Sequence, residues 1–137
     1  VDPTLQPAAT RGESLPIDPE MTRHLFILND APYWNERSAN ALRMAGALSK
    51  RGDHEVRVFL FGDAAHCARR GQRVPEGFFD IEALIAEVVA ARTPVGICST
   101  CMDARGIKDY ECLPGTERKT LADLAEWSSA ADKIISF

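Results

Sequence analysis

Four cysteines punctuate the chain, at positions 67, 98, 101 and 112, and two of them share a C-x-x-C spacing within "VGICSTCMDARG", Val95 to Gly106. Thiols spaced this way at the mouth of a helix can form a reversible disulfide, supply half of a zinc site, or accept sulfur and pass it on. Nucleophilic and metal-binding roles alike need the thiolate. The segment offers one route to it: if Cys98 ends a strand and Ser99 or Thr100 begins a helix, the Cys98 sulfur faces unpaired N–H groups and the positive end of the helix dipole. Asp103 opposes that effect, and Arg105 adds to it if the segment folds back.

A structural zinc ion takes four ligands, and with a single knuckle present the other candidates are Cys112, Cys67 and His66. A thioredoxin-like redox motif carries aromatic and proline surroundings that "STCMDAR" lacks. Both cysteines can also be small apolar fillers beside a sheet. Elsewhere, Asp30 is either a ligand-binding carboxylate or a turn cap. His66 adjoins Cys67, but neighbours on a helix diverge by about 100°, so its reach is towards Cys98 instead. Tyr33 and Trp34 line the same crevice or pack against it, while Arg69 and Arg70 read as a solvated face. The "GDAAHC" loop has one glycine and no following Lys-Ser/Thr pair, so nucleotide binding has no positive support. No metal and no cofactor are expected.

These residues need a scaffold. "HLFILN", His24 to Asn29, and "EVRVFLF", Glu55 to Phe61, are continuous apolar runs suited to strands buried on both faces. Between them, Ala41, Leu42, Ala45 and Leu48 share one helical face, with Gly52 as the stop. A polar stretch, "GDAAHCARRGQRVPEG", has room for one short helix. Asp80 caps a second helix on which Ile81, Leu84, Ile85 and Val88 keep helical spacing until Pro94. "VGIC" is a third strand; Thr120 and Asp123 form a capping box for "LADLAEWSS", and "KIISF" is a last strand. Alternating strands and helices predict an α/β, three-layer sandwich on a mostly parallel sheet of four or five strands. Ligands of such sheets bind at the carboxyl edge, where "NDAPYWNER", "GDAAHCARRGQ" and "CSTCMDARG" all fall.

Composition narrows the partners. The 137 residues are 45% hydrophobic and carry a formal net charge of -4, most of it in residues 1–20, so no basic field recommends nucleic acid or an anionic membrane. No apolar run approaches the roughly 18 residues that span a bilayer. Residues 1–20 hold four of the eight prolines, lack any helical or strand period and lack a signal-peptide core. They are expected to be a disordered tail or a non-native extension, with Met21 as the natural start and 21–137 as a single domain. Without an export signal the expected compartment is the reducing cytoplasm.

From about Met21 to Phe137 the chain resembles the DsrE/DsrF-like family, of YchN-type fold, which includes sulfur-relay subunits. "CSTCMDARGI" is similar to the family's C-G-T-C-M-x-A-R-G-L, and "DAPYWNERSANALRMAGAL" and "LADLAEWSSAADKIISF" to its first helix and its close. The resemblance implies assembly as a homotrimer or homohexamer, with sulfur donor and acceptor proteins as partners. It also implies a persulfide-accepting cysteine at a strand end, followed seven and eight residues later by Arg-Gly; Cys98 stands in that relation to Arg105 and Gly106. Cys101 matches the second cysteine of the YchN-like branch, a resolving thiol or a structural one. Ser99 replaces the usual glycine, which narrows access to Cys98. The expectation is a cytoplasmic sulfur carrier or sulfurtransferase-like protein with Cys98 and Cys101 as its chemistry and Asp30, His66 and Arg105 around them. The rival is a non-catalytic oligomeric module whose crevice holds a small ligand or metal, lined by the cysteines. In either case Trp34, Phe78 and Phe79 are plausible subunit contacts.

Overall fold

A computed structural model of the protein describes residues 20–137; nearly all of the segment expected to be a tail lies outside the described residues. The order is β1 (Thr22–Leu28), α1 (Arg37–Ser49), β2 (His54–Leu60), a 3₁₀ helix (Gly62–Ala68), α2 (Ile81–Ala90), β3 (Val95–Cys98), α3 (Ser99–Ala104), a 3₁₀ turn (Asp109–Glu111), β4 (Thr116–Lys119), α4 (Leu121–Ala130) and β5 (Lys133–Ser136). All five strands are parallel, in the spatial order β4-β3-β2-β1-β5.

The apolar runs sit where both faces are covered. β1 lies between β2 and β5, and β2 between β1 and β3. On one face, Phe26, Leu28, Val56, Val58, Leu60, Val95 and Ile97 meet Ala41, Leu42 and Ala45 of α1 and Ile81, Ile85 and Val88 of α2. Alternate strand residues, Leu25, Phe59 and Cys98, point to the other face and meet Leu124 of α4. Side chains that alternate along a strand explain this division. The second face is thinner, with partly buried Trp127 set edge-on to Phe59. Gly96 makes room for it: a Cβ there would lie 2.8 Å from the Lys119 side chain and 3.2 Å from the Trp127 ring.

The expected caps form. Asp80 accepts a hydrogen bond from the Ala83 N–H at 3.1 Å. The Thr120 hydroxyl accepts from the Asp123 N–H at 3.2 Å, and the Asp123 carboxylate accepts from the Thr120 N–H at 2.8 Å. β4 is the strand that the apolar pattern does not announce. Its sequence "TERK" is charged because it forms a sheet edge, where polar side chains face water.

Candidate functional site

Cys98 is the last residue of β3 and the N-cap of α3, so the strand delivers its sulfur to the start of a helix. The Cys101 N–H donates to Cys98 Sγ at 3.4 Å, and the Thr100 hydroxyl lies 3.4 Å from the same atom. Cys98 is only 4% exposed. Burial pushes its thiol pKa up, but the thiol of Cys101, the hydroxyl of Thr100 and their two N–H groups together outweigh it and hold the value below that of an ordinary thiol. Cys101 is shifted the other way, by burial first and then by the hydrogen bond and charge of Cys98. The pair therefore concentrates negative charge on Cys98 and leaves Cys101, the less buried of the two, with the proton.

Cys101 is anchored from the exit of β2. The Gly62 N–H donates to Cys101 Sγ at 3.1 Å. Gly62 has φ of 58°, a left-handed conformation that a side chain would strain, so glycine is what allows this amide to turn to the sulfur. Next to it, Asp63 accepts from Arg105 Nε at 2.9 Å and Nη2 at 2.8 Å, while Arg105 Nη1 donates to the Cys101 carbonyl at 3.1 Å. The segment does fold back, and Arg105 braces the helix that carries the thiols.

A second arginine braces the same helix from β4. Arg118 Nη1 donates to the Ser99 hydroxyl at 2.8 Å, the Ser99 carbonyl at 3.1 Å and Asp103 at 3.0 Å; its Nε and Nη2 donate to Asp109 at 3.0 and 2.8 Å. The carboxylates of Asp109 and Asp103 hold the guanidinium firmly charged. The Ser99 hydroxyl is thus tied to Arg118 instead of standing free beside Cys98, and Asp103, expected to repel a thiolate, is paired.

The other candidates separate. Asp30 pairs with Arg37 at 3.2 Å and accepts from Asn35 Nδ2 at 3.2 Å, so it fastens its own turn and reaches neither thiol. His66 makes no hydrogen bond to Cys98 among the described residues. It lines a cavity of about 470 Å³ with Ala31, Pro32, Tyr33, Trp34, Arg69, Arg70, Gly71 and Gln72, in which no cysteine takes part. Burial, then Arg69 and Arg105, lower the His66 pKa. Cys67 is wholly buried with its pKa pushed up to about 12 by burial, and Cys112 is raised for the same reason. Among the described residues no three His, Cys, Asp or Glu side chains gather to hold a metal, so the four-ligand zinc set is not assembled. No site role was read in the sequence for Thr100, Gly62, Asp63 or Arg118. The dipeptide Gly-Asp straight after "VFLF" was the available signal for two of them; Arg118 had none.

A parallel three-layer α/β sheet with a hydrogen-bonded thiol pair at its carboxyl edge defines a class of thiol-bearing proteins. The chain belongs to the DsrE/DsrF-like family, whose model matches residues 23–137. It is similar to protein YchN of Escherichia coli, with 37% identity over 118 residues, covering 85% of this chain and all of YchN. It is also similar to protein MK0008 of Methanopyrus kandleri, with 31% identity over 111 residues that cover 81% of this chain and 90% of that one. The crystal structure of the E. coli YchN protein superposes with a TM-score of 0.80, over 85% of this chain and 100% of that one. The structure of MTH1491 from Methanobacterium thermoautotrophicum, at 12% identity and a TM-score of 0.67 over 85% and 99% of the two chains, shares the fold. No helix among the described residues is long and apolar enough to cross a membrane.

Proposed function

We propose that the protein is a sulfur carrier of sulfurtransferase type that accepts a persulfide on Cys98. The observation that carries this is the Cys101 N–H donating to the Cys98 sulfur with the Thr100 hydroxyl 3.4 Å away and able to donate to the thiolate, which favours that form at a site otherwise buried. The Cys98 thiolate attacks the terminal sulfur of a donor persulfide, a new S–S bond forms, and the donor leaves as its thiolate. Transfer onward repeats the step with an acceptor thiolate. In a second fate, the Cys101 thiolate attacks Cys98 Sγ, hydrosulfide leaves, and the Cys98–Cys101 disulfide that remains is reset by an external dithiol. With Cys98 4% exposed, either fate requires the first turn of α3 or the cover from α4 to open.

The protein works in a reducing cytoplasm, a setting consistent with its four free cysteines. Its partners are sulfur donor and acceptor proteins, and it assembles as a homotrimer or homohexamer. Phe78, Leu121 and Ile134, all more than half exposed, supply apolar surface for such contacts. The test is intact mass spectrometry of the reduced protein after incubation with a cysteine desulfurase and cysteine. A gain of about 32 Da that Cys98→Ser abolishes is the expected result. No gain from a competent donor would end the carrier reading, and sedimentation velocity tests the assembly.

A further inference from the structure

The cavity that contains His66 is separate from the thiols, and we propose that it is a binding site for a small aromatic carboxylate. Its volume, about 470 Å³, lies within the usual range for small-molecule sites, and it opens at the carboxyl edge of the parallel sheet, between the turn after β1 and the segment after β2. One wall is aromatic. Trp34 is fully exposed and has φ of 91°, a strained conformation for a bulky residue of the kind that persists at functional sites. Tyr33 beside it is fixed by its hydroxyl, which donates to Gln72 Oε1, and Gln72 is fixed in turn by donating to the Cys67 and Arg69 carbonyls at 3.0 and 2.8 Å. Tyr33 is thereby held in place, which lowers the ordering cost of stacking a flat ring on it.

Arg69 and Arg70 line the same cavity. Arg69 is neutralised by Glu111 at 3.0 Å. The Arg70 side chain, by contrast, donates to the Tyr110 carbonyl, and among the described residues no carboxylate lies in ion-pair range of it. The His66 imidazole has no hydrogen-bond partner among the described residues, leaving its ring nitrogens available to a ligand. A single free positive charge with a neutral imidazole beside it matches a monoanion, and the fork of an arginine matches a carboxylate. A dianionic phosphate would lack a second counter-charge. The site stands independently of the persulfide reading, although the 3₁₀ helix that includes His66 begins at Gly62, whose N–H donates to Cys101.

The test uses benzoate, with benzamide as the neutral isostere and inorganic phosphate as the ringless anion. In Trp127→Phe, Trp34 is the sole tryptophan, so its fluorescence reports ring contact directly. Ligand-observed NMR on the unaltered chain gives the same affinity without relying on that variant. Expected are saturable benzoate binding at about 1 mM, the range for so small a ligand, and loss of about tenfold or more in affinity for benzamide and in Arg70→Gln. Equal binding of benzamide, phosphate competing as well as benzoate, an unaltered affinity in Arg70→Gln, or no saturable binding would each overturn the proposal. Sulfur loading on Cys98 is read separately by mass, so failure here leaves that result standing.

Discussion

Cys67 follows β2 and Cys98 ends the neighbouring β3; both are nearly sealed from water, at 0% and 4% exposure, and they have opposite acid–base character. Cys67 lies among Ala64, Ala65 and Ala68, and its thiol faces the Asp30 carbonyl at 3.9 Å, an acceptor that rewards keeping the proton. Cys98 faces donors, the Cys101 N–H and the Thr100 hydroxyl, which reward losing it. Burial penalises both thiolates. What separates them is depth and donors together: burial dominates at Cys67, near the end of the 3₁₀ helix, whereas at Cys98 a strand runs straight into a helix start whose hydrogen bonds outweigh a smaller burial penalty.

The sharpest break of this comparison is substitution. Cys98→Ser is expected to abolish sulfur loading while Cys67→Ala leaves it intact, measured by intact mass; loading that survives in Cys98→Ser would erase the contrast. Next comes intrinsic reactivity. At pH 8 iodoacetamide should label Cys98 roughly a thousandfold faster than Cys67, because thiolate fraction governs the rate. Peptide mapping after timed labelling reads both sites at once.

A third measurement concerns stability. Cys67 has its folded pKa raised to about 12 from 9.0, so the stability it contributes is complete below pH 9 and is lost as pH rises towards 12, by roughly 4 kcal/mol if Cys67 alone is counted. Cys98, with its pKa lowered, contributes in the opposite sense: its share is full above the unfolded thiol value and fades as pH falls through the folded one. Denaturant midpoints between pH 8 and 11 should therefore fall less steeply in Cys67→Ala than in the parent. Equal slopes would show that Cys67 is not the alkaline weak point. Smaller still is Thr100→Val, which removes one donor and should raise the pH midpoint of Cys98 alkylation by about half to one unit. Ser99→Gly comes last. Arg118 keeps the Ser99 carbonyl, Asp103 and Asp109, so melting should shift by less than about 1 kcal/mol with Cys98 reactivity little altered.

The helices and the apolar strands were legible because their signals are local: caps at Asp80 and Thr120, helical spacing over Ile81 to Val88, and unbroken apolar runs at β1 and β2. β4 was not, since a charged edge strand is made a strand by its neighbour and not by its own composition. The same cause hid Arg118, whose role depends on β4 lying alongside β3 in the register that sets Lys119 opposite Cys98. The C-x-x-C announced its place at the sheet's edge, but not which sulfur holds the charge; that rests on two local contacts to Cys98 at 3.4 Å and on the Gly62 N–H, 39 residues away, donating to Cys101 at 3.1 Å. Asp30 and His66 were placed correctly at the carboxyl edge, yet periodicity carries no information about which loop closes on which. Arg69 and Arg70 belong to a cavity wall and not merely to a solvated face.

The strand order has a consequence for how the chain folds. β1 forms near one end of the sequence, but the strand that covers its outer edge is β5, and the hydrogen bond from the Arg23 N–H to the Asp132 carboxylate spans 109 residues. A closure of that range is slow relative to the βαβ units between. While the chain is being synthesised, β1 therefore waits with "HLFIL" and a row of open N–H and C=O groups unpaired on one side, the pattern that templates association between chains. Substitutions in β5 should accordingly reveal themselves as aggregation during expression before they reveal themselves as a lower melting temperature.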